Sequence, residues 1–154
     1  MSKSPAPTPR IANKKARHNF EILEKIEAGI ALIGSEVKSL RNGKASLDEA
    51  FAIIRRGEMF LRDCHISPYP QAGPNQHVPT RERRLLLKKR EIRKFEKHVT
   101  QKGLTLVPLG IYFNDRGLIK ITIALGRGKK LFDKRADMKK RDQKREMDRA
   151  MRRG

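Results

Sequence analysis

Metal binding and nucleophilic chemistry near neutral pH rest most often on histidine and cysteine, and this chain has four of the first and one of the second. His18, His65, His77 and His98 are scattered, and none stands at zinc-finger or HExxH spacing. Cys64 and His65 are adjacent, but neighbouring side chains of a strand point to opposite faces, which does not make a nucleophile–base pair. Cys64 is read as a packing residue. The run Gly126-Arg127-Gly128-Lys129-Lys130 lacks the spacer and the Ser/Thr of a Walker A loop; its glycines instead let backbone approach phosphate. No catalytic residue, metal site or cofactor is expected. With 5% aromatic residues and no Trp, a base-stacking platform has little to work with.

The remaining chemistry is cationic. Lys and Arg number 37 against 17 Asp and Glu, a formal net charge of +20 on 154 residues. Such an excess makes a polyanion, RNA or DNA, the expected partner. Its distribution is uneven: residues 1–17 carry five basic and no acidic side chains, and residues 126–154 carry thirteen and five. Between them, residues 80–102 hold ten Lys/Arg and three Glu, while the rest of 18–125 is balanced. A near-neutral body with one basic element and two basic extensions follows. The N-terminal extension, with Pro5, Pro7 and Pro9, is expected to be mobile, because it cannot bury enough apolar surface to order itself.

The elements that must position these charges are mostly strands. Residues 19–33 are β-rich and interrupted by Ala28-Gly29, which suggests two strands around a tight bend. GSEVKSLRNG (34–43) suggests a short helix with Ser35 as N-cap, Val37 and Leu40 on one face, and Gly43 at the end. Two apolar runs around Arg56-Gly57 and two around Asn114-Asp115-Arg116-Gly117 predict hairpins, and the four prolines of 67–79 predict a surface loop. A second helix is predicted from Thr80 to Gly103, with Leu85, Ile92, Phe95 and Val99 on one stripe. Several strands with two helices argue for a small antiparallel barrel, closed or partly closed.

On that helical projection Leu86 leaves the apolar stripe and falls among Arg83, Arg90, Arg93 and Lys97. Either a broad core covers the first turn, or the leucine is exposed, or it contacts a nucleobase among side chains that hold phosphates. Residues 129–153 contain no Pro or Gly, and their i,i+4 pairs, worth roughly 0.2–0.5 kcal/mol each, do not order an isolated helix. A tail disordered when free and helical when bound is expected. No apolar run approaches the roughly 18 residues of a membrane span, the N-terminus lacks a secretory pattern, and one cysteine forms no internal disulfide. These features place the expected compartment in the cytoplasm.

The stretches NKKARHNF (13–20), EAG (27–29), GSEVKSLRNGKASL (34–47), PTRERRLLLKKREI (79–92) and GKKLFDKR (128–135) together resemble the SmpB (small protein B) family of bacteria. The blocks cover essentially the whole chain. The resemblance implies a mainly β fold: a small antiparallel oligonucleotide-binding-like β-barrel with flanking helices and a basic C-terminal tail that is disordered in the free state. With the uneven charge described above, the expected domain limits are 1–17, 18–125 and 126–154. The resemblance also implies a non-enzymatic adaptor for the tRNA-like domain of transfer-messenger RNA (tmRNA), the SsrA RNA. The adaptor would bring tmRNA to stalled ribosomes for trans-translation, in company with elongation factor Tu and alanyl-tmRNA, as a monomer. There it would take the place of an anticodon arm, with its tail in the empty message channel.

Carried over by position, the tmRNA-facing residues are Glu27, Leu86 and Lys120, beside the basic Arg83, Arg90, Arg93 and Lys97. His18 matches the decoding-centre histidine, and Gly128, Lys129, Lys130, Asp133, Lys134 and Arg135 match the segment where the tail leaves the barrel. The tail departs from the family at Gln143 and Ala150, leaving Met147 and Met151 as its main apolar contacts with the ribosome. Two alternatives stand beside the adaptor: a structural ribosomal protein with basic extensions, and an RNA-modifying enzyme, for which no catalytic constellation is present.

Overall fold

The structure, a computed structural model, describes residues 11–129. Its order is β1 (Ile11–Ala12), α1 (Lys14–Asn19), β2 (Phe20–Ile30), α2 (Gly34–Arg41), β3 (Ala45–Ser46), β4 (Phe51–Arg55) and β5 (Glu58–Arg62). Then follow β6 (His65–Ile66), a 3₁₀ stretch (Pro70–Asn75), β7 (Arg83–Leu86), α3 (Lys89–Lys102), β8 (Thr105–Phe113) and β9 (Ile119–Gly128). Strands β8-β4-β5-β7-β2-β9 are paired antiparallel in that order, and pairing of β8 with β9 joins the two ends into a ring. One seam is narrow: β4 and β8 meet at the single pair Ala52↔Leu106. The mainly β fold with flanking helices is the expected one, a near-barrel.

Period-two alternation builds the wall. Along β9, Ile121, Ile123 and Leu125 are buried while Lys120 and Thr122 face outward. Met59, Leu61, Leu85, Leu106 and Ile111 complete the interior, and α3 closes it with Ile92 and Phe95 buried and Val99 packed behind them. A smaller cluster of Ala16, Val107, Leu109 and Ala124 holds α1 against the outside of β8 and β9. Among the described residues no helix is long and apolar enough to cross a membrane.

Four local expectations change. The predicted bend at Ala28-Gly29 is absent: β2 runs unbroken for 11 residues, held extended by β9 along one edge and β7 at its end. Its irregularity lies earlier, in a register shift between Ile22 and Glu24. In α2 the N-cap is Ile33, and the carboxylate of Glu36 accepts from its backbone N–H at 2.8 Å. Ser35 is instead buried with its Oγ 2.8 Å from His77 Nδ1. The His77 Nε2–H donates to the Ile66 carbonyl, which leaves Nδ1 to accept from Ser35. Gly43, at φ 68°, ends the helix turn as predicted.

The predicted helix 80–103 begins nine residues late. Arg83–Leu86 is strand β7, and α3 starts at Lys89 with Lys88 as N-cap, where the Glu91 carboxylate accepts from the Lys88 N–H at 3.0 Å. Leu85 and Ile92 are seven residues apart, a spacing that fits helix periodicity equally well. What decides the matter is the ring: β5 and β2 leave ladder groups between them that only an extended segment satisfies. Gly103, left-handed at φ 63°, stops α3 as expected.

The N-terminal boundary also moves. Ile11 and Ala12 pair with β8, and Asn13 caps α1 through its Oδ1, which accepts from Ala16 N–H at 3.1 Å. The Asn13 amide nitrogen also donates to the Pro108 carbonyl at 2.8 Å, so residues 11–17 belong to the folded body rather than to a mobile extension. Asn13→Ala loses both bonds and is expected to cost about 1–2 kcal/mol, read from the midpoint of a urea transition.

Candidate nucleic-acid interface

The registers of four neighbouring strands place one row of side chains on the outside of the wall. Gly29 of β2 is paired with Leu86 of β7 on one side and with Lys120 of β9 on the other. Lys120 is in turn paired with Tyr112 of β8. Two residues back along β2, and therefore on the same face, Glu27 accepts a hydrogen bond from the Tyr112 hydroxyl. Leu86, Gly29, Lys120, Tyr112 and Glu27 form one continuous surface.

Its chemistry is mixed in the way an RNA contact requires. Leu86 is 52% exposed beside the bare backbone of Gly29, where an added Cβ would lie 3.2 Å from Leu86 Cβ. Gly29 thus keeps the leucine close against the strand. Leu118 is 54% exposed on the other side, and together with Lys120 these residues line an open cavity of about 340 Å³. Among the described residues no carboxylate reaches salt-bridge distance of Lys120, which leaves its ammonium for an external anion. The surface offers apolar contact to a base face, one cation for phosphate, and a carboxylate fixed by a phenol as acceptor for base or ribose donors.

Leu86 is exposed for a reason other than the helical projection. In β7, Arg83 and Leu85 point inward and Arg84 and Leu86 outward, as alternation dictates. Arg83 is therefore withdrawn from the RNA-facing set: it is 0% exposed and ion-paired to the equally buried Glu36 at 2.6 Å. Its other donors go to the carbonyls of Cys64, at 2.7 Å, and Pro79, at 3.0 Å. Arg81 adds a second bridge to Glu36 at 2.7 Å. Burial alone would raise the Glu36 carboxyl, but hydrogen bonds from Arg81, Ile33 N–H and Arg83 hold it below its ordinary value. Cys64 is fully buried, and that burial pushes its thiol up to about 11, as suits packing rather than reactivity.

Arg90, Arg93 and Lys97 are exposed on α3, where they line a groove of their own with Lys94, Glu96 and Thr100. That groove and the Leu86–Lys120 cavity share no lining residue, so the basic residues do not ring Leu86. The salt bridge of Lys94 to Glu24, 2.7 Å, ties α3 to the middle of β2.

At the far end of β2, other expected site residues come together. Phe20 is paired with Gly128, and Lys129 N–H donates to the Asn19 carbonyl at 3.0 Å, which places Gly128 and Lys129 beside the end of α1. His18, exposed in the last turn of α1, belongs to the same end. From there to Gly29 is nine strand steps, about 30 Å. Lys130, Asp133, Lys134, Arg135, Met147 and Met151, with the rest of the tail, lie outside the described residues.

Sequence reasoning missed Tyr112 and Gly29. Tyr112 carried no local signal, because its partner is 85 positions away and only the strand register joins them. Gly29 was read as a bend because a glycine inside a β-rich run marks either a turn or a close approach, and the two are not separable by composition.

The family model of SmpB protein matches residues 10–153. SsrA-binding protein of Desulforamulus reducens is 55% identical over 140 residues, spanning 91% of this chain and 87% of its own length. That of Moorella thermoacetica is 52% identical, spanning 91% and 90% respectively. A chain in the solved structure "tmRNA-SmpB: a journey to the center of the bacterial ribosome" superposes with a TM-score of 0.67 at 51% identity, over 80% of this chain and 86% of that one. The match takes in the barrel, both ends of β2 and the basic tail alike, and this chain belongs to the SmpB family.

Proposed function

We propose that the chain is a non-enzymatic RNA adaptor that binds the tRNA-like domain of tmRNA on the Leu86–Gly29–Lys120–Tyr112 row, with Glu27 as an acceptor. The observation that carries this reading is the row itself: an exposed leucine, a lysine with no carboxylate at salt-bridge distance among the described residues, and a phenol-held carboxylate on one face, in a chain of this family. The second surface, His18 with Gly128 and Lys129, sits about 30 Å away at the other end of one strand. A rigid body with RNA-directed groups at both ends suits a protein that presents one RNA to another. On this reading the folded body extends from Ile11 to the end of β9, and the segment beyond it occupies the empty message channel of a stalled ribosome. Delivery as a monomer with elongation factor Tu and alanyl-tmRNA, in the cytoplasm, completes the proposal.

The test is a titration of the full chain against the tRNA-like domain and against an ordinary tRNA over a range of salt. Both affinities are expected to fall with salt, by a log–log slope of about 0.7–0.9 for each phosphate neutralised. The tRNA-like domain is expected to remain at least about tenfold tighter at physiological salt, where non-specific charge contributes least. Coincident curves would reduce binding to the +20 charge and favour the structural ribosomal protein.

A further inference from the structure

We propose that the cavity between α3, β4 and β8 seats this chain's own Leu131 and Phe132, a contact that anchors the root of the C-terminal tail on the barrel. The proposal concerns the free chain and holds whatever the row of Leu86 and Lys120 binds.

The cavity lies at the narrow seam of the ring and measures about 640 Å³. Its walls are apolar: Phe51, Ile53 and Ile54 of β4, Val99 of α3, and Leu104 and Leu106 where β8 begins. Phe51, Ile53 and Ile54 are only half-buried, so the packing of the barrel leaves apolar surface uncovered here. Large apolar side chains that displace water from such a hollow are held there.

The fitting occupant brings backbone as well as side chains. The two-residue turn Arg56-Gly57 makes Arg55 and Glu58 the hydrogen-bonded pair that closes the β4–β5 hairpin. Alternation along β4 then turns the N–H and C=O of Ala52 and Ile54 to its other edge. There β8 meets Ala52 through Leu106 and leaves Ile54 without a ladder partner among the described residues. An extended segment of chain satisfies that edge, and a small apolar ligand does not.

The exit of the chain identifies the segment. Thr105, on the cavity rim, is paired with Gly126 of β9, and Lys129, three residues later, is the last described residue. Three strand steps along and one strand spacing across place Lys129 about 11 Å from Thr105. Phe132 is three residues farther on, about 10 Å of extended chain before its ring is counted. Leu131 and Phe132 are the first apolar residues past the exit, and the next large one is Met138. Phe132 is also the sole aromatic residue of 130–154. The flanking charges suit the rim. Lys130, Asp133 and Lys134 surround the apolar pair, and the rim carries Glu96 and Arg56, both exposed and neither in a salt bridge among the described residues. A root held here fixes the direction in which residues 136–154 leave the body and lowers the conformational cost of placing them.

The experiment uses the absence of Trp from the sequence, which makes Phe132→Trp a single fluorescent reporter in the full chain. Its emission is expected to be blue-shifted relative to an Ala150→Trp control. Its quenching by acrylamide is expected to be about three- to tenfold weaker than the control's, because burial of a large apolar side chain outweighs closure of a short loop. Ile53→Asp sets a carboxylate in the wall and is expected to return the reporter to the control's quenching. Glu96→Lys, exposed on α3, leaves the core untouched and guards against an Ile53 variant that does not fold. It is expected to raise quenching about twofold by repelling Lys130 and Lys134. A reporter as open as the control overturns the proposal, and so does a shielded one indifferent to both substitutions. Shielding that disappears on dilution assigns the cavity to a second copy of the chain and also overturns it. No RNA enters this measurement, so its failure leaves the tmRNA reading standing, and failure of that reading shows only in the titration against the tRNA-like domain.

Discussion

Glu36→Gln is expected to lower the stability of the fold by about 3–5 kcal/mol, a fall in thermal midpoint on the order of 10–20 °C. The size follows from what would be left behind. Glu36 and Arg83 are both 0% exposed, and the carboxylate neutralises Arg83 at 2.6 Å while also taking Arg81 at 2.7 Å and the Ile33 N–H at 2.8 Å. Glutamine keeps the shape but removes the charge, and its amide nitrogen turns a donor toward donors. A guanidinium is then buried without a counter-ion, the costly half of a broken buried pair. Because Arg83 also holds the carbonyls of Cys64 and Pro79, the loss spreads from α2 to the connection between β5 and β7.

The same pair dictates a pH dependence. The Glu36 carboxyl is held below its ordinary value of 4.5 in the fold. A depressed carboxylate contributes stability that is fully present above that ordinary value and is lost as pH falls through the folded one. Urea midpoints measured from pH 7 downward are expected to fall below about pH 4.5 in the wild type and to fall less steeply in Glu36→Gln, which lacks this titration. A variant of wild-type stability, or one with the same acid slope, would show that the pair does not hold α2 to the barrel.

The second large effect is on binding. Leu86→Asp is expected to weaken the tRNA-like domain by about 30- to 100-fold, since about 1.5–3 kcal/mol of apolar contact is lost and a carboxylate is set where phosphate approaches. Lys120→Ala is expected to weaken it about five- to tenfold and to reduce the salt slope by about one. Leu86 points outward from β7, so thermal midpoints are expected to move by no more than about 0.5 kcal/mol equivalent. Both variants binding like wild type in a fluorescence titration would remove the row from the interface.

Much of the fold was legible because it rests on local rules. Alternation in Ile119–Leu125 and the Arg56-Gly57 turn, both residues at positive φ, predict their strands and hairpin directly. Asn114 closes the second hairpin by accepting from the N–H groups of Arg116 and Leu118, as its place before Gly117 suggests. Residues 80–88 were not legible in the same way. Leucines and arginines there satisfy a helix on propensity, and only the unfilled ladders of β5 and β2 make them a strand. A helical projection leaves Leu86 either covered by a broad core or exposed, whereas strand alternation is what exposes it. The same alternation buries Arg83, which reads as one more surface cation.

The site divides along the same line. Composition pointed to a polyanion as partner, block order carried the family resemblance, and that resemblance implied Leu86 and Lys120 as positions of interest. Residue types and their spacing along the chain carry that information in full. Only the tertiary structure decided that Gly29 stands between those two residues, that Tyr112 holds Glu27, and that Arg90, Arg93 and Lys97 face elsewhere. Those facts depend on which strands meet and in what register. Register is set by burial of one face against a shared core, a quantity that no single segment contains.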